Sequence, residues 1–171
     1  IPSRNTHPVD SLVISVTQIH AGDAYNVIPD SVTMKGSVRT FQTETRKEIP
    51  SSMLRVAEGV CQAFGANCEL NYMLGYPATV NSVPETDISA KAVVDLLGED
   101  NIIRNPTPSM ASEDFSYMLE KRPGCYVWLG IGSKEGVSTE LLHSSRYDFN
   151  DDVLTIGASY WVKLVENELP A

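Results

Sequence analysis

Three histidines, His7, His20 and His143, are the side chains of this chain best suited to proton transfer or metal binding near neutral pH. His7 stands among Asn5, Thr6 and Pro8, where a solvated loop position is the plain reading. His20 closes a β-branched run beside the turn sequence Ala21-Gly22-Asp23. His143 follows the Gly130 to Gly136 stretch and precedes the last helix, and residue types alone make it a loop histidine within reach of Asp148 or Asp151. Ser112-Glu113-Asp114 offers two carboxylates, but neighbours on a helix point about 100° apart and do not converge as a general acid and base would. In a first turn they complement the helix dipole instead. Gly130-x-Gly132 with Gly136 misses the dinucleotide spacing, and no Walker loop, nucleophile elbow or His-Glu-x-x-His occurs.

Composition narrows the partners. The 171 residues are 42% hydrophobic and 20% charged, which excludes a disordered chain. Thirteen Lys+Arg against 22 Asp+Glu give a net charge of −9, so the chain repels nucleic acid and anionic lipid. No apolar run approaches the roughly 20 residues that span a bilayer. Cys61, Cys68 and Cys125 are an odd number without Cys-x-x-Cys spacing, which argues against a disulfide scaffold and for a reducing, cytoplasmic compartment. The chain opens at Ile1 without a Met and reads like the middle of a longer protein.

These residues are carried by elements of mixed period. Val13 to His20 and the alternating run Val32, Met34, Gly36, Val38 read as neighbouring antiparallel strands, with Arg39 on the wet face. Ile49, Met53, Val56, Val60 and Phe64 lay one apolar stripe along a helix that Gly65 can end. It starts either at a Thr45-x-x-Glu48 capping box or near Pro50. Cys68 to Leu74 alternates as a further strand, and the Pro-punctuated segment from Tyr76 to Glu85 marks a boundary. Beyond it, Ile88 to Leu97 is helical, Ser112 can cap a short helix, and Cys125 to Leu129 suits a strand covered on both faces. A last helix runs from about Asn150-Asp151-Asp152 to Leu169. The fold class is therefore α/β.

The order of four motifs resembles the C-terminal half of the metal-dependent amidohydrolases of aminoacylase type, the family of hippurate hydrolase, auxin-conjugate hydrolases and N-acyl-L-amino-acid amidohydrolases. They are Val16 to Asp30 with Asn26-Val-Ile-Pro-Asp30, Gly36-Ser-Val-Arg-Thr-Phe41, Ser112-Glu-Asp-Phe-Ser116, and Leu142 to Asp151 with Tyr147-Asp-Phe-Asn-Asp151. The resemblance implies a partial two-layer α/β satellite domain over residues 11–76, lacking its first strand and helix, that makes a homodimer. Residues 82–171 would be the C-terminal part of a mostly parallel α/β catalytic domain with two divalent ions, zinc or manganese. Motif by motif, Asn26 would polarise the scissile carbonyl and Arg39 would hold the free carboxylate of an N-acyl amino acid. An arginine fork is chemically suited to that. Ser112 would bind substrate at a helix start, and His143 would be the last metal ligand, oriented by Asp148 or Asp151.

In the intact parent, the resemblance implies a metal-bound hydroxide as nucleophile and a glutamate as base, both from upstream sequence. None of the three cysteines stands in the family's Cys-Gly-His-Asp context, and one histidine cannot hold a catalytic zinc, so these residues alone are expected to be inactive and to bind metal weakly. The competing reading is a non-catalytic dimerisation and carboxylate-ligand-binding module. A sheet without its first strand would also leave Val13 to His20 as an edge open to association.

Overall fold

The structure, a computed structural model, describes residues 1–132 and 140–170. Two compact units form: Ile1–Ala78 with Ser109–Ser116, and Thr79–Pro108 with Tyr117–Ala171. The chain is a mixed α/β protein, as its alternating periods indicate.

In the first unit a four-residue turn of helix, α1 (Pro2–Asn5), leads to the antiparallel pair β1 (Leu12–Ala21) and β2 (Val32–Thr40). The register sets Val13 against Arg39 and Ala21 against Val32, with an irregularity between Val16 and Gln18. Gly36 opposes Val16 beside that bulge, and a Cβ there would lie 2.2 Å from the Ser15 carbonyl oxygen. The bulged strand thus approaches its neighbour too closely for any side chain.

Helix α2 (Thr43–Ala63) packs on β2 and buries Ile49 and Thr45. It starts earlier than either expected point and keeps Pro50 inside, where a proline costs about 3 kcal/mol of helix stability. Ile49, immediately before it, is buried. The helix ends in a Schellman motif: Ala66 N donates to the Cys61 carbonyl at 2.9 Å and Gly65 N to that of Gln62 at 3.1 Å, with Gly65 at φ +69°. Arg46 reaches forward to the Gly75 carbonyl and ties the following segment to the helix. That segment carries the expected strand Cys68 to Leu74, yet no ladder forms on it among the described residues. Alternation makes a strand only where a second backbone completes the ladder.

In the second unit α3 (Val83–Leu97) packs against α5 (Leu154–Glu168). It begins at Val83-Pro84, earlier than Ile88, because proline is tolerated in a first turn, and ends at Gly98 with φ +84°. The buried Ser89 hydroxyl shares a 2.6 Å hydrogen bond with that of Tyr160, and Ala90, Ala92 and Val153 complete the core. The buried Asn150 side chain accepts from Asp152 N at 3.2 Å and donates to the Ile131 carbonyl at 3.0 Å, fixing the 3₁₀ turn Asp151–Val153 that opens α5. Cys125 to Leu129 also has no ladder. Instead the Asn81 side-chain amide pairs with Tyr126, donating to its carbonyl at 2.9 Å and accepting from its N–H at 2.8 Å. A side chain substitutes there for one rung of a sheet. A short α4 (Phe115–Leu119) lies between. Gly136, third glycine of the Gly130 run, lies outside the described residues.

Candidate substrate and metal-donor residues

β2 alternates half-buried Val38 and Thr40 with exposed Arg39, so the pleat turns the guanidinium away from α2's side of the sheet. Its Nη1 donates to the Met110 carbonyl and, at 3.5 Å, to the Ser112 hydroxyl. Two of the expected site residues, Arg39 and Ser112, therefore meet within the first unit. Both acceptors are uncharged, and no carboxylate pairs with Arg39 among the described residues. By contrast, Arg104 is matched by Glu99 and Arg146 by Glu140. A guanidinium steadied by neutral oxygens keeps its charge available for an incoming carboxylate.

Ser112 is not the helix cap expected of it. α4 begins only at Phe115, whose N–H is taken by the Glu113 carboxylate at 3.2 Å. The buried Ser116 hydroxyl donates to the Glu113 carbonyl at 2.6 Å. Glu113 and Ser116 thus close the turn, which leaves the Ser112 hydroxyl turned to Arg39. The role of Glu113 is one that dipole arguments do not single out.

Asn26 sits in the exposed β1–β2 connection, in a turn closed by Val27 N donating to the Ala24 carbonyl at 3.3 Å. Its side chain makes no hydrogen bond among the described residues, so the Asx-turn alternative is not used. The structure does not bring Asn26 to Arg39. Seven residues of β2 separate Val32, at the Asn26 end, from Arg39, or about 23 Å at the strand rise of about 3.3 Å.

In the second unit His143 occupies an exposed turn, Ser144 N donating to the Leu141 carbonyl at 3.1 Å. Its φ is +71°, the sole positive φ at a non-glycine position among the described residues. Such a conformation costs on the order of 1 kcal/mol and is seen where a site demands it. The expected hydrogen bond to Asp148 or Asp151 is not made: Ser144 and Ser145 take the chain through a turn first, and Arg146 N donates to the Ser144 hydroxyl at 3.2 Å. A catalytic metal of this kind takes about three protein ligands. Among the described residues no three His, Cys, Asp or Glu side chains gather to supply them, so those donors alone do not fit a complete centre. No helix among them is long and apolar enough to cross a membrane.

The first unit brings Arg39 and Ser112 together, the second holds His143 at a positive φ, and several known proteins are similar to this chain. Hippurate hydrolase of Campylobacter jejuni is 37% identical over 164 residues, covering 96% of this chain and 42% of that protein. N-acetylcysteine deacetylase of Bacillus subtilis is 34% identical over 164 residues, covering 96% and 41%. In the crystal structure of the Bacillus subtilis YXEP protein, a dinuclear metal binding peptidase from the M20 family, the fold recurs with a TM-score of 0.74 at 34% identity, over 90% of this chain and 40% of that one. The chain belongs to peptidase family M20/M25/M40, which it matches over residues 4–167. It spans about two-fifths of the length of these relatives.

Proposed function

We propose that these residues are the carboxylate-gripping part of a metal-dependent amidohydrolase that cleaves the amide bond of N-acyl amino acids. The observation that carries this reading is Arg39, a charged fork held by a carbonyl and a hydroxyl and matched by no carboxylate among the described residues. Two relatives are named for hippurate and N-acetylcysteine, both N-acyl amino acids with a free carboxylate. In this reading Arg39 binds that carboxylate with Ser112 beside it, and the Asn26 amide donates to the scissile carbonyl. His143 gives one neutral imidazole to a divalent ion, zinc or manganese, whose other donors lie outside these 171 residues. Residues 11–76 form the homodimer and residues 82–171 belong to the catalytic domain. A reducing, cytoplasmic compartment suits the three free thiols.

The test uses the full-length protein on a panel of N-acyl amino acids and their C-terminal amides, with and without chelator. Free acids are hydrolysed in preference and chelation abolishes turnover. Charge-assisted hydrogen bonds contribute about 1.5–3 kcal/mol, so Arg39→Ala lowers kcat/KM for the acids by about 10- to 150-fold while leaving the amides unchanged. Arg39-dependent binding of acyl amino acids without hydrolysis would instead identify a non-catalytic carboxylate-binding module.

A further inference from the structure

We propose that Tyr25 sets the choice of acyl group, favouring an aromatic or comparably large apolar acyl chain over acetyl. The inference rests on the reading in which the Asn26 amide meets the scissile carbonyl. The β1–β2 connection is a closed loop. Gly22, at φ +69°, has the Pro29 ring 3.6 Å from where a Cβ would stand, and Ala21 pairs with Val32 just outside it, so the ends of the loop are held together. Within it Val27 N donates to the Ala24 carbonyl at 3.3 Å, which makes Tyr25 and Asn26 the two central residues of one turn. Consecutive Cα atoms lie about 3.8 Å apart, so a group that reaches the Asn26 amide comes within a side chain's length of Tyr25.

Exposure and charge select the end of the substrate that arrives there. Tyr25 is fully exposed and Ile28 is 93% exposed, so the described residues leave the ring and its apolar neighbour uncovered. From Ala21 to Ser31 the loop carries two carboxylates, Asp23 and Asp30, and no Lys, Arg or His. That charge repels the substrate's free carboxylate and leaves its uncharged end to approach. The covalent structure of the substrate agrees: the acyl substituent is bonded directly to the scissile carbon, whereas the amino-acid side chain begins only beyond the nitrogen and the α-carbon. A flat ring gains most from a flat apolar partner, because aromatic pairs attract beyond the area they bury.

The experiment gives the full-length protein, free of chelator, one amino acid carrying in turn an acetyl, butanoyl, cyclohexanecarbonyl or benzoyl group. It reads kcat/KM for wild type, Tyr25→Ala and Tyr25→Phe. Wild type should favour benzoyl over acetyl. Loss of one aromatic contact should lower the benzoyl-to-acetyl ratio of Tyr25→Ala by about 10-fold, while Tyr25→Phe keeps it. The preference for free acids over C-terminal amides, which belongs to Arg39, should be the same in all three. Coincident melting temperatures check that the variants fold, as the full exposure of Tyr25 leads one to expect. Loss by one common factor for every acyl group, an unchanged ratio, or a gain for benzoyl would overturn the inference and leave the proposed function standing. So would a Tyr25→Ala effect that follows the side chain in a matching panel of N-acetyl amino acids. A wild-type protein that hydrolyses none of the panel removes both.

Discussion

His143 joins backbone strain to a donor side chain, and the two can be separated. Glycine adopts a φ of +71° without a Cβ penalty, so His143→Gly removes about 1 kcal/mol of strain, partly offset by the extra freedom of the unfolded chain. His143→Ala keeps the strain and loses the imidazole. If the strain is retained for the donor, both variants lose metal-dependent hydrolysis in the full-length protein, yet the glycine variant melts above the alanine variant, which stays near the wild-type temperature. Equal activity of wild type and His143→Gly would remove the histidine from the site. Asp95 makes a second case. Hydrogen bonds from Lys91 at 2.5 Å and Asn167 at 3.0 Å hold its carboxyl below the ordinary 3.8. A depressed folded-state pKa means that this tie between α3 and α5 is present above the unfolded-state value and lost as pH falls through the folded one. Carboxyl-carbon NMR should find the Asp95 midpoint below 3.8, and Asn167→Ala should move it upward.

Among the elements, the β1–β2 hairpin depends most on one residue. With a Cβ at position 36 only 2.2 Å from the Ser15 carbonyl oxygen, Gly36→Ala must push one strand off the other. Overpacking of this order costs about 1–3 kcal/mol, to be read as a fall in the urea midpoint with an unchanged slope. An unaltered midpoint would mean that the bulge relaxes freely. The glycine was legible in the sequence as part of a motif, but its reason was not, since only pairing shows which backbone it faces. The same limit separates the readable from the unreadable elsewhere. Periodicity located both paired strands, the apolar stripe of α2 and its Gly65 stop, whereas Arg39 was marked by the motif resemblance, its residue type alone reading as a surface charge. It could not tell that Cys68 to Leu74 and Cys125 to Leu129 would go without ladders, because strand formation is settled by a distant partner. Nor could the cap signal at Ser112 foresee Glu113 occupying the Phe115 N–H and freeing Ser112 for Arg39.

For the whole molecule the hairpin sets a geometric demand. Val32, where β2 leaves the connection that carries Asn26, stands about 23 Å along the strand from Arg39, a span that one acyl amino acid cannot bridge. If both serve one substrate, they come from different chains. The hairpin offers the means: a two-stranded sheet is marginal by itself, and here it leaves Val16, Ile19 and Met34 between 58% and 66% exposed beside open edges. In a two-fold dimer each site then draws Asn26 from one copy and Arg39 from the other. Asn26→Ala and Arg39→Ala full-length proteins should each be inactive as homodimers. Unfolded together and refolded in equal amounts, half the dimers are mixed, and each mixed dimer holds one site with both residues intact. Recovery should reach about one quarter of wild-type activity. Complementation at that level requires a shared site, whereas dimers that mix but regain nothing would confine Asn26 and Arg39 to separate tasks within each chain.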